Sequence, residues 1–352
     1  MAKNMYVGSL LPALGLALSL GLAITRASAQ GIEELRDSGA LGLSLTPAAA
    51  SETPAVGAGA KASPAGAKAA SSRPLNVYFV NVGQGDAEYI ELPNGQTALI
   101  DGGPSKKRLA AFLQQHGVTR IDHVVLTHPH ADHFKGLNYV FDSLEVGHFY
   151  DTRIDNSGSK GDNTLREKAA DKAGCSTSYP RPGESLDWGQ GVQVKVFNSC
   201  PDPVDSGEGL DGGAEINNCS ITLKVSVEGH SVLFPGDAQS QAEAKMVAAF
   251  GNELQADVLK VPHHGSSESS SDVFLAKVKP KKAVLEVGKN GYGLPTDSAL
   301  ARLQTAGAVV LRTDVGGTLD GSSLFDTLLA GPSHAIPAST QLLASSPAPV
   351  VP

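Results

Sequence analysis

The chain has 352 residues and a formal net charge of −8. That length accommodates one large domain or two ordinary ones, and the acidic balance implies no broad basic face, so composition gives no support to non-specific binding of duplex DNA. Three cysteines are too few for a disulfide framework.

In chain order, Lys3 precedes an apolar run, Val7 to Ile24, and Ala27-Ser28-Ala29 follows as a small-x-small cleavage site before Gln30. Residues 1–29 are therefore read as a secretory signal peptide. The rival reading is a membrane anchor, for which the run is near the lower limit of roughly 17 residues. The adjacent cleavage site favours export, to the periplasm or outside the cell, with no stable membrane anchor after cleavage. An exported chain meets an oxidising compartment. Two of Cys175, Cys200 and Cys219 can then pair, and the sequence does not say which. Residues 30–73 are dominated by Ala, Gly, Pro and Ser, too little apolar surface to offset their ordering entropy, and are expected to be a disordered linker. Residues 329–352 have the same character and are expected to be a disordered tail, leaving a single folded domain over 74–328.

That domain opens with a strand, Leu75 to Val82, a turn at Gly83-Gln84-Gly85-Asp86, and a strand through Leu92. Asn94-Gly95 is a hairpin signal, and the next strand, Thr97 to Ile100, ends at Asp101-Gly102-Gly103. A helix is expected over Lys106 to His116. A buried strand, Ile121 to Thr127, then delivers His128-Pro129-His130-Ala131-Asp132-His133. In an extended loop, His128 and His130 point to one side, and Asp132 and His133 turn toward a second point. Three imidazoles and a carboxylate in six residues are ligands for zinc, manganese or iron rather than for calcium or magnesium. Burying them without a metal would leave several polar groups to satisfy.

Leu137 to Phe141 reads as a helix and Val146 to Tyr150 as a strand. Residues 155–190 form a long excursion, with a helix over Thr164 to Lys172, read equally as a substrate-facing lid or an exposed insertion. Trp188, the only tryptophan, is expected to pack rather than to stack on a ligand. Strands follow at Val192 to Phe197, Ile221 to Val227 and Ser231 to Phe234. The last delivers Gly236-Asp237 ahead of a helix, Gln239 to Phe250. A carboxylate there can bridge two metals, one oxygen to each, or serve as a helix N-cap. The metal reading is favoured because the histidine cluster is present. A strand from Asp257 to Val261 delivers a second histidine pair, Pro262-His263-His264-Gly265, before a helix from Asp272 to Val278. Five of the ten histidines thus sit in two strand-terminal clusters; His116, His123, His148, His230 and His334 read as surface or packing residues. Strands that first pair antiparallel and later alternate with helices suggest sheets sandwiched by outer helices.

The ordered motifs resemble the metallo-β-lactamase superfamily, and within it the hydrolase domain of ComEC-type DNA-uptake proteins and their free-standing relatives. The motifs that carry the likeness are Phe79 to Asp86, Leu99 to Gly103, His128 to His133, Asn217-Asn218-x-Ser220, Gly236-Asp237, Leu259 to Ser266, and Asn290-x-Tyr292-Gly293. The resemblance implies an α/β fold, a four-layer αβ/βα sandwich, with a site for two divalent metal ions, Zn or Mn, at one sheet edge. It implies that His128 and His130 serve one ion, that Asp132, His133 and His264 serve the other, and that Asp237 bridges. His264 is chosen over His263 because superfamily members often carry Val-Pro-x-His-Gly. His263 would face substrate and Asp101 would orient a ligating imidazole, with Asn217, Asn218 and Tyr292 nearby.

Two departures stand out. Many superfamily members place a third histidine on the first metal where this chain has Asn217-Asn218-Cys219-Ser220. The ComEC-like pattern reads Tyr-Gly-His-Pro where this chain has Tyr292-Gly293-Leu294-Pro295. The resemblance implies a metal-dependent hydrolase, first of all a phosphodiesterase or nuclease. Asp132 or Asp237 would accept the proton of the attacking water, and a small or single-stranded phosphodiester would be the substrate. Lys106, Lys107 and Arg108 give only a small basic patch, whose plainer reading is a solvated helix start. The alternatives are a lactamase or lactonase of the same fold, or a metal-holding module whose activity has decayed.

Overall fold

The structure is a computed structural model that describes residues 74–156, 161–200, 213–321 and 324–325. All of them fall in the second of two units, residues 64–352. The expected signal peptide, linker and tail, and with them the expectation of export, lie outside the described residues. Among the described residues no helix is long and apolar enough to cross a membrane.

The first sheet starts as an antiparallel meander of β1 (Asn76–Phe79), β2 (Glu88–Glu91) and β3 (Thr97–Ile100). The expected Asn94-Gly95 turn joins β2 to β3, and Gly95 sits at φ +87°, which an L side chain rarely adopts. After α1 (Lys106–Gln115) the pairing becomes parallel through β4 (Arg120–Val125) and β5 (Glu145–Tyr150). Between these two lie α2 (Ala131–Phe134) and α3 (Leu137–Ser143). After β5 come α4 (Gly161–Asp171) and the parallel edge strand β6 (Ser176–Ser178).

The second sheet begins with the antiparallel strands β7 (Ser185–Leu186), β8 (Gln193–Asn198), β9 (Thr222–Val227) and β10 (His230–Phe234), with α5 (Gly213–Asn218) before β9. It continues in parallel through β11 (Val258–Lys260), β12 (Lys282–Leu285) and β13 (Val309–Arg312), connected by α6 (Ser240–Phe250), α7 (Asp272–Val278) and α8 (Asp297–Thr305). The last strand, β14 (Leu319–Asp320), returns to the first sheet beside β1. The strand orders are β14-β1-β2-β3-β4-β5-β6 and β13-β12-β11-β10-β9-β8-β7.

Alternation along the strands makes the layers. Val77 and Phe79 of β1, Val196 of β8, and Val232 and Phe234 of β10 point into a core between the sheets. Their neighbours Val80 and Leu99 point outward onto Leu109, Phe112 and Leu113 of α1 and Val140 of α3. On the far side, Leu233 and Leu259 meet Met246 of α6 and Phe274 of α7. A strand with apolar residues on both faces requires cover on both, and three separate cores with helices outermost give the expected αβ/βα sandwich. Trp188 is fully buried in the central core with His123 stacked on it at 5.0 Å, so it packs as expected.

The described part of the excursion after β5 is built into both sheets. It supplies the edge strand of one sheet, β6, and then the edge strand of the other, β7. These strands are three and two residues long and mostly polar, so they lack the apolar alternation by which strands are read. Cys200 pairs with Cys219, and Cys175 is the free cysteine.

Candidate metal centre

Each expected ligand stands at the end of a strand or in the turn that follows. β4 leads through Thr127 to His128 and His130. Beyond that point the chain turns into α2 at Ala131, so Asp132 and His133 sit on a helical turn. Two glycines allow α2 to lie this close to the first sheet. A Cβ on Gly85 would fall 2.2 Å from the carbonyl oxygen of Asp132, and one on Gly136 would fall 1.7 Å from that of Gly102. β10 ends at Gly236-Asp237. The N-cap of the following helix is Gln239, which removes the capping reading of Asp237. After β11, His263 and His264 both adopt left-handed backbone, φ +50° and +51°, as does Asp101 at +56°. Each such non-glycine residue costs on the order of 1 kcal/mol or more, and such residues cluster at functional sites.

These turns converge on one carboxylate oxygen. Asp237 Oδ2 lies 3.2 Å from His133 Nε2, 3.5 Å from His264 Nε2, 3.8 Å from His128 Nε2 and 4.0 Å from His263 Nε2. Asp132 reaches His264 Nε2 at 3.4 Å and His133 Nε2 at 3.9 Å. His130 Nδ1 lies 3.0 Å from His128 Nε2, so the two rings do face a common point. Asp237, expected to offer one oxygen to each of two ions, has its two oxygens in different surroundings. Its Oδ2 faces the imidazoles, whereas Oδ1 is turned toward the ammonium of Lys260, 3.8 Å away.

The outward nitrogens of His133, His264 and His128 are engaged. His133 Nδ1 donates to Asp101 Oδ2 at 2.7 Å, and Asp101 is itself held by the N–H and hydroxyl of Thr127. His264 Nδ1 donates to the carbonyl of Glu286 at 2.9 Å and lies 3.2 Å from Asp86 Oδ1. His128 Nδ1 meets the hydroxyls of Thr127 at 3.1 Å and Ser220 at 3.3 Å. This fixing of outer nitrogens selects the tautomer with an Nε2 lone pair facing inward, as metal-ligating histidines require. Asp86 comes within 4.8 Å of ligand atoms of His133, Asp237 and His264, but on their Nδ1 side, which makes it a supporting group rather than a ligand.

The electrostatics ask for positive charge. Burial opposes ionisation of Asp237 and Asp132, yet the neighbouring His264 and His133 hold both carboxyls well below the usual range. Burial also opposes protonation of His133 and His264, but Asp237 and its companion carboxylates outweigh it and raise both. His128 and His130 are pushed down by burial and by His133. In the protein alone, protons on two imidazoles balance the buried carboxylates. A divalent ion would supply that charge and use the lone pairs. His264 Nε2, a buried atom facing the cluster, has no hydrogen-bond partner. The donor set, imidazole and carboxylate, therefore fits a divalent transition metal.

The cluster forms the floor of a cavity of about 780 Å³, lined by Asp132, Asp237, His263, Lys135, Tyr292 and Leu294 among others. His263 faces the cavity, held by Asn217 and Gln239 at 3.4 Å each. Tyr292 stands at the rim, 79% exposed. Asn218 turns away: its Oδ1 accepts from the N–H groups of Gln239 and Ala242, because the first turn of α6 has N–H groups in need of an acceptor. Lys106 pairs with Asp142 on the surface, in keeping with a solvated helix start.

Two groups of residues were not singled out from sequence. Gln84, Asn156 and Glu268 line the cavity, and Asn156 donates to the carbonyl of Pro129 within the histidine motif. Asp86, Lys260, Glu88 and Glu286 form a fully buried ionic cluster behind the ligands. The signal for that cluster is charge inside otherwise apolar strands, as at Val258-Leu259-Lys260-Val261 and Val284-Leu285-Glu286-Val287.

Residues 80–288 match the sequence pattern of the metallo-β-lactamase superfamily. The chain is 29% identical over 264 residues to ComE operon protein 3 of Bacillus subtilis (strain 168), covering 69% of this chain and 32% of that protein. It is 28% identical over 243 residues to competence protein ComA of Neisseria gonorrhoeae, covering 68% and 31% respectively. It thus spans about a third of the length of these relatives. Among solved structures, CmlA, a diiron β-hydroxylase from Streptomyces venezuelae, aligns with a TM-score of 0.46 and 16% identity over 70% of this chain and 53% of that one. With more than half of its length matched, the chain belongs to the metallo-β-lactamase superfamily.

Proposed function

We propose that this superfamily member, a metal-dependent hydrolase, cleaves phosphodiesters with water. The observation that carries the metal reading is the convergence of His128, His133 and His264 Nε2 atoms on Asp237 Oδ2, with each ring's outer nitrogen fixed. A divalent ion bound there supplies Lewis acidity and an activated water at neutral pH. His128 and His130 would hold one ion, Asp132, His133 and His264 a second, with Asp237 between them.

The chain's own residues do the rest. Asp132 is ionised and a third exposed, at the cavity wall, where it can accept the proton of the attacking water. His263 faces the cavity with Asn217 and Gln239 on its ring nitrogens and can donate to a phosphoryl oxygen or a leaving oxygen. Lys135 and the side-chain amides of Gln84, Asn156 and Asn217 line the same space. These neutral donors and one cation suit a singly charged diester. The sequence likeness to the DNA-uptake proteins favours the same substrate class. Export, proposed from the apolar run before Ala27-Ser28-Ala29, agrees with a disulfide at Cys200–Cys219.

The test is reconstitution with Mn²⁺ or Zn²⁺, metal counting, and turnover of bis-p-nitrophenyl phosphate beside a β-lactam and a lactone. Diester turnover abolished by Asp132→Ala supports the proposal. Metal binding with lactam or lactone turnover alone overturns the substrate assignment. Binding with no turnover of any of the three leaves a metal-holding module.

A further inference from the structure

Beneath the ligand set lies an ion pair that no ligand count includes. Lys260, the last residue of β11, is completely buried. Its ammonium donates to the Asp86 carboxylate and, at 3.3 Å, to the carbonyl of Gly236, and it lies 3.8 Å from Asp237 Oδ1. Asp86 belongs to the turn between β1 and β2, on the opposite sheet. Its other contacts are with the outer nitrogens of the rings: Oδ1 is 3.2 Å from His264 Nδ1, and Oδ2 is 3.7 Å from His133 Nδ1. One lysine therefore connects a carboxylate that backs two ligating rings with the carboxylate that those rings face.

A buried ammonium is strongly unfavourable unless paired, so its presence here calls for an account. Packing alone does not provide one, because a methionine or leucine would fill the same space between the sheets without desolvating a charge. Neutralisation in bulk does not provide one either. Glu88 and Glu286 lie in the same cluster, and Glu286 Oε1 is already engaged by the N–H of Ala87. What the lysine alone supplies is direction. Asp237 Oδ1 accepts no hydrogen bond, so the ammonium of Lys260, 3.8 Å away, is the charge that favours turning this oxygen from the imidazoles. Without the lysine, Asp86 would also lose its only cationic partner among the described lysines and arginines, and with it the orientation that places Oδ1 against His264.

We propose that Lys260 is a positioning residue of the metal centre, acting through Asp86 on the rings of His264 and His133 and directly on the carboxylate of Asp237. The proposal rests on the metal-centre reading but not on which ester is cleaved. It goes beyond the ligand set by giving a function to a charge that touches neither substrate nor ion.

The experiment is a titration of the full metal-free chain with Zn²⁺ against a chromophoric chelator, for wild type, Lys260→Met, Asp86→Asn and the double variant. Melting of the metal-free proteins is followed separately. The double variant removes both charges at once and leaves no unpaired ion from the pair, so it retains the fold even where a single variant does not. The expected result is a loss of at least tenfold in Zn²⁺ affinity for the double variant. Lys260→Met should also cost less in the Asp86→Asn background than in wild type, because the two act through one link. A folded double variant with wild-type or tighter affinity overturns the proposal, and a lowered melting temperature alone would mark a purely structural pair. Equal losses from Lys260→Met in both backgrounds overturn the route through Asp86. A wild-type chain that binds no Zn²⁺ removes the metal-centre reading itself, which is a distinct outcome.

Discussion

His133 Nδ1 donates to Asp101 Oδ2 at 2.7 Å, and that single bond sets the face the ring turns to the cluster. Asp101 holds left-handed backbone to make it and is locked from the other side by Thr127. Asp101→Asn keeps the shape but removes the charge behind the ring. The expected outcome is a fall in metal affinity of about 10- to 100-fold, read by chelator competition. An unchanged affinity would show that ring orientation is set elsewhere.

The adjacent histidines separate by burial. His264 is enclosed by Asp132, Asp237 and Asp86, whereas His263 is a quarter exposed to the cavity. His264→Ala is expected to lower the bound metal per chain. His263→Ala should leave metal binding intact and lower kcat, by about 10²-fold if the ring transfers a proton. Metal counting beside steady-state kinetics on the same preparations checks both, and equal effects would mean the two rings share one role.

The Cys200–Cys219 bond closes a loop of 19 residues in sequence separation and sits within the segment that carries Asn217 and Ser220. Closing a loop of that size contributes about 3 kcal/mol through the unfolded chain. Replacement of both cysteines by serine is expected to lower stability by about that amount in urea unfolding. It should also weaken metal binding, because Ser220 contacts His128 and receives the N–H of Asp237. Stability lost with affinity retained would confine the disulfide to a general tether.

His123 gives a pH dependence remote from the metal centre. Burial, opposed in part by Asp122, lowers its pKa to about 4 from an ordinary 6.5. Its folded form is therefore neutral over a range in which the unfolded chain takes up a proton. The stability it contributes is present above pH 6.5 and is lost as pH falls from 6.5 toward 4. His123→Gln, which retains a polar group near Gln96 and Trp188, should flatten that limb. The measurement is the difference in melting temperature between variant and wild type from pH 4 to 7. A constant difference would assign the acid loss to other groups.

Much of the sandwich is legible in the chain because its signals are local. Alternation in Asn76–Phe79, the Asn94-Gly95 turn, and the apolar stripe Leu109, Phe112 and Leu113 each need only neighbouring residues. The ligand clusters are local too: His128 to His133 occupies six positions, and His263-His264 ends a strand. Strands β6 and β7 escaped because edge strands this short carry no periodicity, and their pairing comes entirely from the strand beside them.

The sequence by itself determined the fold class, the order of strands and helices around the site, and the residue types brought to it. Tertiary structure decided which nitrogen of each ring faces inward, which oxygen of Asp237 the imidazoles share, and which cysteines pair. It also decided that Lys260 meets Asp86, 174 positions away in the chain and on the other sheet. The physical reason is range. Periodicity and turn chemistry act over a few residues and are written in the local pattern, whereas a buried ion pair or a ring's orientation is fixed only when two sheets pack and exclude water between them.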